Sequence, residues 1–325
     1  MDPQRQFAGT GAGDERPRKR AGAYEMEKQT ELEMLFDQND MSGIDGTQLN
    51  SGVLLYRTKT IRSGDMLECI CYPMVTASCR IRAKRAKISS ERQQRVNWEA
   101  CRRRLVRKAQ CNFGQDAIFV TLTYERQPAE DEACRNLDRY LARMRYRAKR
   151  AGTQLKYIAV TEISESGRVH HHLLIAGLTR AQAEAGWRNG YANARQYQER
   201  SEGFTGLVYY MTKKMSTTSR DEKKGKEEDK EGETEDVNGM EAVYHKRVRC
   251  SKGLLEPRET VADHKISKSK MERIALEAEG NVIGIMQSIY PDYECHERPR
   301  VKRSEWLPGV FLRAVMWRKR KPDRG

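Results

Sequence analysis

The segment GRVHHHLLI, residues 167–175, gathers three of the chain's six histidines. In a strand, successive side chains point to opposite faces. His170 and His172 then share one face, and His171 joins Leu173 and Ile175 on the other. Two imidazoles at this spacing on a rigid strand suit a divalent metal. The segment before it, KYIAVTEI, offers a third donor if the two strands form a hairpin. With Glu165–Ser166–Gly167 as the loop and Gly167 left-handed, Ser164 faces Arg168, Ile163 faces Val169 and Glu162 faces His170. Glu162 then stands on the face of His170 and His172. Two imidazoles and a carboxylate leave positions open for a substrate phosphate. A loop one residue longer or shorter would turn Glu162 away.

A second group lies in GLVYYMTKKM. On a helix, Tyr210 and Lys213 share a face, three residues apart. Tyr209 is rotated from Tyr210 by about 100° and is assigned to packing. A tyrosine hydroxyl, with an ordinary pKa of about 10, is a weak nucleophile at neutral pH. It attacks phosphorus where a metal and a lysine offset the developing charge.

These residues need elements to hold them. GVLLYRTKTI and DMLECICYP read as strands joined by a turn at Ser63–Gly64. A basic helix begins at Ser89 or Ser90 and stops at Gly114. IFVTLTY reads as a buried central strand. A second helix spans about residues 130–150, with Leu137, Tyr140, Leu141, Met144 and Ala148 at helical spacing and Gly152 as its cap. The histidine hairpin follows. Thr179 with Gln182 makes a capping box for a short helix, and Thr205 is placed as the N-cap of the tyrosine helix. A further helix is expected near 267–279. The order implies an α+β fold, an antiparallel sheet with helices on one face in a ferredoxin-like layout. The other face would be free for a ligand.

Composition sets the surroundings. The chain of 325 residues carries a net charge of +15, with 33% charged and 38% hydrophobic residues. Such an excess of cations favours a polyanion. Arg102, Arg103, Arg104, Arg107 and Lys108 crowd the first helix and are assigned to DNA phosphates. No apolar run is long enough for a membrane span, and the N-terminus lacks the apolar centre of a signal peptide, so a cytoplasmic protein without a membrane partner is expected. None of the eight cysteines forms a CxxC pair, so plain thiols in a reducing compartment are expected. Residues 1–50 and the charged stretch 218–240 are too polar to pack. The expected domain is therefore 51–260, followed by a helical and basic extension over 261–325. No GxxxxGK[ST] pattern occurs, which leaves out a helicase.

IFVTLTY, GRVHHHLLI and YMTK, in that order, resemble the three motifs of HUH-type rolling-circle replication endonucleases. NFGQDAIFVTLTY and KYIAVTEISESGRVHHHLLI are similar to the replication-associated initiators of phages and plasmid-like elements, and HKRVRCSKGLLEP is similar to their downstream segment. The resemblance covers about residues 52–260, without the insertion. It implies that Glu162, His170 and His172 hold Mg²⁺ or Mn²⁺, that Tyr210 is the nucleophile and that Lys213 assists it. Thr121–Tyr124 would support the centre. It implies nicking of single-stranded or hairpin origin DNA through a 5′-phosphotyrosine in a bacterial host, with host helicase and polymerase doing the unwinding and synthesis. Water, a second subunit or Tyr209 would serve termination. His171 departs from the bulky hydrophobe usual between the paired histidines. A conjugative or mobilisation relaxase is the first alternative, but relaxases usually place the tyrosine ahead of the histidines. A non-catalytic single-stranded nucleic-acid-binding protein is the second.

Overall fold

The computed structural model describes residues 52–75, 90–164, 166–198, 200–213, 247–276, 282–303 and 308–320. The N-terminal region 1–50 and the 218–240 insertion lie outside them.

Val53–Ser63 (β1) and Met66–Val75 (β2) form the first hairpin. Its turn contains Gly64 at φ 58°, where a Cβ would stand 2.3 Å from the Gln110 carbonyl oxygen. Both the left-handed backbone and this close approach call for glycine. Gln110 belongs to a helix over Ser90–Asn112 (α1). Then come Ile118–Tyr124 (β3), Glu130–Arg150 (α2), Lys156–Ile163 (β4), Val169–Ala176 (β5), Arg180–Glu184 (α3) and Gly190–Gln196 (β6). With Val248–Cys250 (β7), this βαββαβ run gives a five-stranded sheet in the order β6-β3-β5-β4-β7. Every neighbouring pair is antiparallel. The arrangement is α+β and ferredoxin-like, as expected.

One face of this sheet is sealed by α2. Leu137, Tyr140, Leu141, Met144 and Ala148 pack with Val120, Leu122, Ala159, Leu173 and Ile175. Gly152 takes φ 71° just beyond the helix. Thr179 and Gln182 form the capping box at α3.

The expectation of helices on one face only is corrected. Ile158, Val160, Leu174 and Ala176 point the other way and are buried against α1 and the helix Thr205–Thr212 (α4). The physical reason is in β4 and β5 themselves. Both carry apolar residues at nearly every position at one end, and such runs need cover on both sides. Only the Glu162–His170–His172 end of that face escapes it. Thr205 is the first residue of α4 rather than its cap; the N-cap is Phe204.

The first hairpin belongs to a second sheet. Its other strands are Arg258–Ala262 (β8), Tyr293–Glu294 (β9), Arg300–Arg303 (β10) and Val310–Arg318 (β11). Their order is β10-β11-β2-β1-β8, with β9 also paired to β11. The C-terminal part therefore contributes strands as well as the helices Lys268–Leu276 (α5) and Val282–Ile289 (α6), and the sheet crosses the boundary expected at residue 260. Helix α1 lies between the sheets. Its Leu105, Val106 and Ala109 are buried with Met66 on one side and Ile158 and Val160 on the other.

Arg107 ties the layers together. Its guanidinium donates to the Glu68 carboxylate on β2, and Arg313 on β11 donates to the second carboxylate oxygen at 2.6 Å. Burial would push the Glu68 carboxyl up, but the two guanidinium groups overcome it and hold it at about 2. Cys69 and Cys71 lie buried on one face of β2 as free thiols. Burial raises them to about 11 and about 12.

Candidate active site

The histidine hairpin has the expected register. Glu162 faces His170, Ile163 faces Val169, and the Ser164 amide donates to the Arg168 carbonyl at 2.8 Å. Gly167 takes φ 74° in the turn. Glu162, His170 and His172 thus lie on one face, opposite α2.

Two of the three are in contact. His172 Nε2 lies 2.9 Å from a Glu162 carboxylate oxygen, and both side chains are buried. His172 Nδ1 lies 3.4 Å from the Thr121 hydroxyl on β3. Both contacts are met if Nε2–H donates to the carboxylate and Nδ1 accepts from Thr121; this tautomer is assigned from the partners. Burial pushes the His172 imidazole down, against the raising pull of Glu162. His170 stands nearer the hairpin turn and is half-buried. Among the described residues, no three His, Cys, Asp or Glu side chains converge into a group that could hold a metal. The donor chemistry of Glu162 and His172 suits a divalent cation, and His170 is not gathered in with them.

His171 packs on the opposite face, fully buried. Its Nε2 lies 2.8 Å from the Tyr124 hydroxyl and its Nδ1 3.0 Å from the Thr161 hydroxyl. Trp187 packs edge-on against it. Burial and the neighbouring histidines push it down to about 3. It is therefore neutral near pH 7 and fills the place of a hydrophobe because both ring nitrogens are partnered.

Helix α4 delivers Tyr210 to the same face. Its ring centroid is 5.5 Å from that of His172 and 6.0 Å from that of Phe119, both in edge-on geometry. Phe119 in turn stacks on His172 at 5.8 Å. Tyr210 remains 47% exposed, so a strand in solution can reach its oxygen. The Lys213 ammonium lies 4.8 Å from the centre of the Tyr210 ring. Tyr209 points elsewhere. Its hydroxyl donates to Glu99 on α1 at 3.0 Å, and Arg102 lies over its ring. Burial and Glu99 raise its hydroxyl above the ordinary value.

The basic cluster on α1 does not form the expected DNA face. Arg103 and Arg107 are buried, Arg107 against Glu68. Arg102 pairs with Glu99 and donates to the Thr212 carbonyl at 3.1 Å, at the end of α4. Lys108 pairs with Glu256 at 2.6 Å. Arg104 alone of the five is exposed. The reason is the position of α1 between two sheets, where its arginines neutralise internal carboxylates and carbonyls. Phe119, Glu99 and Arg102 were not singled out in the sequence as parts of the site. The alternation FVTLT could have pointed to Phe119, since it puts Phe119 and Thr121 on one face.

A chain with a βαββαβ sheet, a Glu–His pair on its open face and a half-exposed tyrosine beside that pair has the makings of a phosphoryl-transfer protein. Residues 117–218 match the family model of the replication-associated proteins of the ORF2 and gene-2-protein type. That segment, which holds Glu162, His170, His172, Tyr210 and Lys213, joins the chain to the replication-associated proteins of phages and plasmids. The curated proteins and the solved structures gave no match. No helix among the described residues is long and apolar enough to cross a membrane.

Proposed function

We infer that this replication-associated protein nicks single-stranded or hairpin DNA at a replication origin, through a covalent bond between Tyr210 and the 5′ phosphate. The observation that carries this reading is the contact of the Tyr210 ring with His172, at 5.5 Å, on the face where His172 is bonded to Glu162. The Tyr210 oxygen attacks phosphorus in line. The bond to the 3′ oxygen breaks, and that strand leaves as a free 3′ hydroxyl. The phenolic proton passes to water at the exposed side of the ring, and the leaving oxygen takes a proton from water. Lys213 offsets negative charge as the phenol is consumed. Thr121 and Glu162 fix the orientation of His172. Glu162, His170 and His172 would hold a Mg²⁺ or Mn²⁺ ion after His170 turns toward the other two, and the ion would polarise the scissile phosphate. The phosphotyrosine keeps the bond energy, so religation needs no ATP. Host polymerase extends the 3′ hydroxyl while host helicase unwinds.

The test uses the full chain and 3′-labelled single-stranded DNA from the region flanking its coding sequence, with Mn²⁺. An adduct that survives denaturation is expected, and peptide mapping should place it on Tyr210. No adduct on any such strand, or an adduct on another residue, would overturn the reading. The alternative of Tyr209 as a second nucleophile is disfavoured by its bond to Glu99. Tyr209→Phe is expected to form the adduct at the wild-type rate and to lose about 1 kcal/mol of stability, the worth of one hydrogen bond. Loss of religation in that variant would restore a role for Tyr209 in termination.

A further inference from the structure

Strand β6 forms the edge of the histidine sheet, and its side chains alternate sharply. Ala192 and Ala194 face α2 and pack on its core. Tyr191, Asn193 and Arg195 face the other way, and all three are exposed. Cross-strand partners share a face. The register sets Tyr191 beside Thr123, Asn193 beside Thr121 and Arg195 beside Phe119. The next strand sets His170 beside Thr123 and His172 beside Thr121. The outer row of β6 therefore continues the active face across β3.

Tyr191 is 73% exposed, the highest value among the exposed large hydrophobic side chains. It lies two strands from His170, about 10 Å at the usual interstrand spacing. An aromatic ring without cover on a sheet face is a seat for a nucleotide base, because every base has a π-face to stack. Arg195 adds a cation, and its guanidinium donates to Asn193 at 3.2 Å, which holds the two polar groups in line. The row is continuous with the site and its charge is opposite to that of a phosphate chain.

We propose that Tyr191, Asn193 and Arg195 form the seat for the single-stranded nucleotides that flank the bond Tyr210 attacks, with Tyr191 stacking a base and Arg195 contacting a phosphate. The proposal rests on the nicking reading for what lies beside the seat, but its own test needs no cleavage. The full chain is titrated into a fluorescein-labelled single-stranded dT20 probe in EDTA, with anisotropy as the readout, at several salt concentrations. Tyr191→Ala is expected to weaken binding about 10-fold, the scale of one lost base stack, with the salt dependence unchanged. Tyr191→Phe should bind as wild type, because stacking does not need the hydroxyl. Arg195→Gln should instead reduce the slope of log affinity against log salt by about 0.7, one phosphate contact on a single strand. On a probe with abasic sites throughout, wild type and Tyr191→Ala should bind alike. The side chain is exposed, and equal thermal midpoints for wild type and variants will show that the fold is intact. Wild-type affinity for dT20 in Tyr191→Ala, or a Tyr191→Phe loss equal to that of alanine, would overturn the seat. Either result would leave the Tyr210 adduct test standing. Failure of the adduct with a 10-fold Tyr191→Ala loss would instead leave a binding face without the nicking chemistry.

Discussion

Tyr210→Phe is expected to abolish adduct formation while leaving the fold and the affinity for single-stranded DNA in place. Phenylalanine keeps the ring that meets Phe119, His172 and the Lys213 ammonium. It loses only the oxygen. A fall of at least about a thousandfold is the scale of removing a nucleophile from a cooperating site. Removing its neighbour should cost nearly as much. His172→Ala takes away the imidazole that joins Glu162 to Thr121, and cleavage should drop by about a hundredfold or more. His172→Gln guards against a packing artefact at this buried position. EDTA should reproduce the loss in wild type and add nothing in the His172 variants. Cleavage by His172→Gln at the wild-type rate in Mn²⁺ would sink the ligand assignment, and an adduct in Tyr210→Phe would sink the nucleophile. Gel detection of the denatured adduct reads both.

The parts of the site that the sequence made legible are those set by short-range geometry. The face shared by Glu162, His170 and His172 follows from a period of two and a turn with one left-handed glycine, all within a single hairpin. Tyr210 and Lys213 follow from the period of a helix. What the sequence hid depends on distant partners. Nothing in MLECICYPMV shows that its neighbours are β1 and a strand at Val310–Arg318. Without that strand, Glu68 has no visible need for Arg107, and a run of arginines on one helix reads as a solvated DNA face. The apolar ends of β4 and β5 hid a second helical layer, because a run buried on both faces does not say what covers it. Strand β6 was missed for a different reason. Gly, Ala, Asn and Arg have weak strand propensity, although the alternation of Tyr191, Asn193 and Arg195 with two alanines carries the period.

The clamp between the layers should carry a large share of the stability. Glu68 is enclosed with Arg107 and Arg313, so removing its charge leaves two guanidinium groups without their anion. Glu68→Gln is expected to lose about 3 to 5 kcal/mol at pH 7, the cost of breaking a buried pair from one side. The sign with pH follows from the lowered carboxyl, at about 2 when folded against an ordinary 4.5. The stabilisation is complete above the ordinary value and fades as pH falls toward 2. Urea denaturation should therefore show the gap between wild type and Glu68→Gln narrowing from pH 6 to pH 3. A gap that stays constant over that range would mean the carboxylate charge is not what stabilises the layers. Glu68→Leu with Arg107→Met should lose less than the sum of the single changes, because the unpaired buried charge is removed along with its partner. The chemistry should feel the same change at a distance. Helix α1 holds α4 through Glu99 on Tyr209 and Arg102 on the Thr212 carbonyl. Loosening α1 at Arg107 then widens the range of positions open to Tyr210. Adduct formation in Glu68→Gln should fall well before DNA binding does, since the β6 row does not depend on α1 for its register with β3.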